Sequence, residues 1–126
     1  ALVVQGGVGV SGDLFVGSSV TELSAGELKE NISSIDSAID KVMALNGVEF
    51  TWKHDRESKK EYGLLAENVA DVVPNLASYD TDSNPSGVKY SKVVALLIEG
   101  MKQQQQEINE LRSQLPKKRI RKSKSV

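Results

Sequence analysis

Val94-Ala95-Leu96-Leu97-Ile98-Glu99-Gly100-Met101-Lys102-Gln103-Gln104-Gln105-Gln106-Glu107-Ile108-Asn109-Glu110-Leu111-Arg112-Ser113-Gln114-Leu115 is the stretch that decides how this 126-residue chain is built. Val94, Met101, Ile108 and Leu115 stand seven apart, and Leu97, Gln104 and Leu111 follow the first three of them by three residues. That is the a/d seam of a coiled coil, carried on a helix expected from about Ser91 to Leu115. The charges at Glu107, Glu110 and Arg112, with Gln103 to Gln106, keep the outer faces wet. A helix this long with so narrow an apolar stripe is not stable alone, so the pattern calls for partner helices. Ile and Leu at these positions suit two strands or three, and Gln104, the polar d position, is the candidate for setting the register.

Composition points the same way. Hydrophobic residues make up 39% of the chain, with two Phe and one Trp, which is a thin core for a lone domain. Cysteine is absent, which removes disulfides and thiolate sites. His54 is the single histidine, and no carboxylates cluster near it at ligand spacing, so no metal and no cofactor are expected. Self-association is the remaining source of burial. No apolar run reaches the ~20 residues needed to span a bilayer, so no membrane partner is expected. The sequence begins inside a repeat-like pattern without a Met, and reads as a piece of a longer protein.

Charge is unevenly spread. Lys117, Lys118, Arg119, Arg121, Lys122 and Lys124 put six cations into the last ten residues, leaving ten Lys and Arg against seventeen Asp and Glu elsewhere. The tail, 116–126, reads as disordered and solvated. Without interleaved aromatics it is weak ground for a nucleic-acid contact.

Upstream of the helix the pattern changes twice. Residues 1–22 are Gly-punctuated and β-branched, with apolar pieces Leu2–Val4, Val8–Val10 and Leu14–Val16 about six residues apart. Such spacing suits short strands in a β-stalk that needs copies of itself for pairing. From Ser33, a helix is expected over Ile35–Leu45, capped by Ser33, Ser34 or Asp36, with Ile35, Ile39, Val42 and Met43 on one face. Asn46-Gly47 then turns the chain into a strand Val48–Trp52 with Val48, Phe50 and Trp52 buried. His54–Glu61 reads as a charged loop, Tyr62–Leu65 as a short buried strand, and Glu67–Val73 as a short helix stopped by Pro74. Asp80–Gly87 is turn-rich, and Val88-Lys89-Tyr90 reads as an edge strand.

At the junction between arm and domain lies Ser24-Ala25-Gly26-Glu27-Leu28-Lys29-Glu30-Asn31-Ile32. A serine hydroxyl and a lysine amine brought together can perform acyl chemistry without histidine, provided the amine is held neutral. Burial or nearby positive charge lowers a lysine pKa from its ordinary ~10.4. Locally, a plainer reading fits as well: Ser24 as N-cap with Glu27 completing a capping box.

Taken in order, these landmarks resemble the C-terminal intramolecular chaperone auto-processing domain of phage tail fibres and tailspikes, the peptidase S74 family. Ser24 and Lys29 fit the family's Ser-Asp-x-x-x-Lys start, with Ala25 where the family usually has Asp. Gly47-Val48-Glu49-Phe50-Thr51-Trp52 is similar to its Gly-Val-x-Phe-x-Trp segment, and Gly63-Leu64-Leu65-Ala66-Glu67-Asn68-Val69 with Val73-Pro74 to its next one. An ordered series over roughly 24–115 is more specific than any one short motif.

The resemblance implies an α+β fold: a small core of helices and short strands, a long C-terminal helix in a trimeric coiled coil, and a Gly-rich β-stalk arm ahead of it. The expected divisions are 1–23 for the stalk end, 24–90 for the chaperone core, 91–115 for the coiled-coil helix and 116–126 for the tail. The implied function is trimerisation and registration of a fibre, followed by self-release at Leu23–Ser24 through a Ser24–Lys29 dyad. The parent stalk would be its partner in the same chain. The setting would be a fibre precursor assembled in the host cytoplasm. A purely structural trimeric tip, with Ser24 and Lys29 inert, is the alternative.

Overall fold

The computed structural model describes residues 1–117, so most of the basic tail expected at 116–126 lies outside the described residues. The chain separates into two compact units, Ala1–Ser33 and the portion from Ser34 onward.

In the first unit every residue is exposed, and the regular structure consists of one 3-10 turn, Gly26–Leu28. The strands expected at Leu2–Val4, Val8–Val10 and Leu14–Val16 do not form in this single chain. An extended segment holds its conformation through ladder hydrogen bonds to a neighbour.

The second unit is α+β. Its elements run α1 (Ala38–Ala44), β1 (Gly47–Phe50), β2 (Glu61–Leu64), α2 (Ala66–Val72), a 3-10 turn at Pro74–Leu76, β3 (Ala77–Tyr79), β4 (Pro85–Val88) and the long α3 (Tyr90–Ser113). β1 pairs antiparallel with β2, and β3 with β4, as two separate two-stranded sheets. Isolated hairpins are marginal in water, so helix packing must supply their stability. The buried hydrophobic residues described are few: Ala38, Val69, Ala77, Val93 and Leu96.

α1 is shorter than the helix expected over 35–45. Ser37 takes a left-handed conformation (φ 51°), which stops the helix from extending toward Ile35. None of the local cap candidates is used. Instead the Ile39 N–H donates to Gln103 Oε1 of α3 at 2.9 Å, so the cap comes from 64 residues away. Gln103 therefore serves the interior and not the wet outer face assigned to it by periodicity. Beside it, a Cβ on Gly100 would lie 3.1 Å from Val42 Cγ2, which brings α1 and α3 close together. Met43, expected inside, is exposed, and Ala38 takes the buried place.

The β1 strand ends at Phe50, two residues short of the expected Trp52. Beyond the strand end Trp52 stays half exposed, with Nε1 donating to Glu61 Oε1 at 3.2 Å and its ring edge-on to Phe50. Tyr62 points outward from β2 and Leu65 is exposed, while Gly63 and Leu64 are half-buried, so the expected strand forms but is not a buried one. Gly63 has no room for a side chain, since a Cβ would fall 2.8 Å from Tyr90 Oη. That hydroxyl accepts the Leu64 N–H at 2.9 Å and donates to the Leu64 carbonyl at 3.4 Å, tying the start of α3 to β2. Strand pairing falls on Pro85–Val88, while Tyr90 already opens the helix. The β3–β4 turn is closed by Asp80 Oδ1, which accepts the N–H groups of Asp82 and Asn84 at 2.9 Å each.

Asn68 has a structural role that its sequence context does not signal. Its Oδ1 accepts the Asn46 N–H at 3.0 Å and its Nδ2 donates to the Ala44 carbonyl at 3.2 Å. One side chain on α2 thus holds the end of α1 and the entry to β1.

Candidate functional site

Ser24 and Lys29 both lie in the first unit, on either side of the 3-10 turn. Leu28 N–H donates to the Ala25 carbonyl at 3.1 Å and Lys29 N–H to the Gly26 carbonyl at 3.0 Å. This turn doubles the chain back, and Lys29 follows it in extended conformation. The five-residue separation becomes a direct contact: Lys29 Nζ donates to Ser24 Oγ at 2.7 Å. Two residues on, Asn31 has φ 52°, a left-handed conformation that Asn tolerates better than most residues.

The capping-box alternative is not realised. The N-cap of the turn is Ala25, with no side-chain cap hydrogen bond, and Ser24 lies one residue too early. Its hydroxyl is engaged by Lys29.

What the pair lacks is an enclosure. Both residues are exposed, as are the neighbouring apolar side chains Val20, Leu23, Leu28 and Ile32. Chemically, the arrangement brings a hydroxyl and an amine within proton-transfer distance, both open to solvent. A groove of about 650 Å³, lined by residues including Phe50, Trp52, His54, Leu64 and Tyr90, belongs entirely to the second unit. Among the described residues no group of three or more His, Cys, Asp or Glu side chains could hold a metal ion. His54 is exposed in the β1–β2 loop, its ring 5.5 Å from that of Trp52. No described helix is long and apolar enough to cross a membrane.

The other predicted residues lie on α3, apart from Leu115, which falls two residues past its end. Val94, Leu97, Met101, Gln104, Ile108, Leu111 and Leu115 are all exposed, while Val93, Leu96 and Gly100 are buried. At 3.6 residues per turn the two rows lie roughly a quarter-turn apart on the helix. The chain's own core therefore uses one face and leaves the heptad face uncovered. After Gln103 no described residue of α3 is even partly buried.

Residues 24–78 match the family described as chaperone of endosialidase, Peptidase S74. The matched segment, 24–78, belongs to this family. The match opens at Ser24 and ends within β3, before α3 begins. The chain is also 32% identical over 94 residues to the long tail fiber protein Gp37 of Enterobacteria phage K3, and likewise to that of Enterobacteria phage T2. The aligned region is 70% of this chain in each case, and 8% and 7% of those much longer proteins.

Proposed function

We propose that this chain is the end of a phage tail fibre together with its folding aid. In this reading 1–23 is the last of a stalk, 24–90 the chaperone core, and 91–115 a helix that joins two others in a parallel trimeric coiled coil. Three chains aligned by the coil would bring their Gly-Val-rich arms side by side, supplying the pairing that one arm lacks. The finished fibre would then part from the chaperone at Leu23–Ser24, in a precursor assembled inside the host. Family membership and the two long-tail-fibre relatives support the chaperone part of this reading.

The observation that carries the cutting step is the 2.7 Å contact between Lys29 Nζ and Ser24 Oγ. The serine oxygen attacks the Leu23 carbonyl carbon as the lysine amine takes the hydroxyl proton. The tetrahedral intermediate expels the Ser24 nitrogen, which receives that proton, and Leu23 is left as an ester on Ser24 Oγ. Water then attacks the ester, giving a Leu23 carboxylate and restoring the hydroxyl. A lysine acts as base only as the free amine, and assembly supplies the enclosure by covering Leu23, Leu28 and Ile32. Cutting is thereby tied to correct trimerisation, and each molecule turns over once.

A structural trimeric tip that never cuts is the second reading, favoured by Ala25 in place of the family's Asp and by the exposure of the pair in one chain. Expression with a longer N-terminal stalk separates the two. The first reading gives two bands for the parent sequence and one band for Ser24→Ala and for Lys29→Ala. A parent protein that is trimeric yet stays one band would contradict self-cleavage, and cutting by both variants would contradict the assigned pair.

A further inference from the structure

Gln103 and Gln104 are chemically identical neighbours put to different uses. Gln103 Oε1 accepts the Ile39 N–H, and with Gly100 against Val42 it fixes how α3 is rotated on α1. Gln104, 100° further round, is exposed in the middle of the heptad row, with Leu97 and Met101 before it and Ile108 and Leu111 after it. Residues 104–113 form about 15 Å of helix, at 1.5 Å per residue, with no partly buried side chain. Such a stretch is unstable by itself, and its apolar residues fall on one seam.

We propose that Gln104 is the specificity-determining residue of the seam, restricting assembly to three copies of this chain in one register at the cost of stability. The proposal rests on the trimer reading above. In an in-register trimer the three Gln104 amides meet at one level on the axis, where each carbonyl can accept an N–H from its neighbour. A slip of one heptad places Gln104 against Leu97 or Leu111 of the other strands. It leaves a desolvated amide without a partner in an apolar layer, and such a group is expensive to bury. No other a or d position from Val94 to Leu115 opposes that slip, because all the rest are apolar and exchangeable.

The test uses the absence of cysteine, which allows one spin label at Gln106→Cys, on the exposed side of α3 away from the seam. Inter-label distances and native mass are then compared with and without Gln104→Leu. The expected result is one trimer with a single distance for the parent. With Gln104→Leu, the melting temperature rises while several distances or oligomer sizes coexist. A Gln104→Leu protein that keeps one trimer and one distance would overturn the proposal and leave the trimer reading intact. A parent protein that is monomeric, with no inter-label distance, would overturn the trimer reading itself.

Discussion

Residues 1–33 bury none of their side chains, whereas the unit from Ser34 holds every buried residue described, including Ala38, Val69, Ala77, Val93 and Leu96. The first region nevertheless contains the pair we propose for the cutting step, Lys29 Nζ against Ser24 Oγ. The second contains the packing and the long-range hydrogen bonds. On the proposed reading chemistry and stability occupy different parts of the chain, and substitutions should move them separately.

The largest effect belongs to the pair. Ser24→Ala or Lys29→Ala should lower cutting on the order of a thousandfold or more, as removal of a nucleophile or its base does elsewhere. Neither should shift the melting temperature of the second unit, and a shift in step with lost cutting would break the separation. Next comes the uncovered face of α3. Ile108→Asp places a charge in the seam and should weaken assembly on the order of a hundredfold or more, read by native mass, while circular dichroism retains the second unit's structure.

Smaller effects lie within the packed unit. Gly100→Leu overfills the α1–α3 contact and should cost about 1–3 kcal/mol in denaturant unfolding. Asn68→Ala removes two hydrogen bonds that hold α1 and β1 and should cost about 1–2 kcal/mol. The smallest concerns Glu27. Because Ser24 is not an N-cap, Glu27→Ala should change stability by less than about 0.5 kcal/mol, whereas a loss near 1 kcal/mol would restore the capping box.

The sequence was most legible where the pattern is long or the residue type is decisive. Heptads over 94–115 located α3 to within two residues, and Asn46-Gly47 and Pro74 placed the starts or stops beside them. Strand β3 was missed, because three residues, Ala77-Ser78-Tyr79, are too few to show a period and the segment takes its conformation from pairing with β4. The span of α1 was overestimated because the left-handed Ser37 and a cap from Gln103 are tertiary facts with no local trace. Periodicity singled out the row from Val94 to Leu111, which is exposed in one chain, but not the neighbouring buried face of Val93, Leu96 and Gly100, which becomes visible only with α1 packed against it. The Ser24–Lys29 spacing was legible as a number, but the direct contact between the two side chains depends on the 3-10 turn between them.

Mass spectrometry of the parent sequence, expressed with a longer stalk and allowed to assemble, tests the central claim most directly. The account predicts two products whose masses place the cut between Leu23 and Ser24, accumulating only as trimer forms. A trimer of intact chains, or products from any other bond, would contradict it.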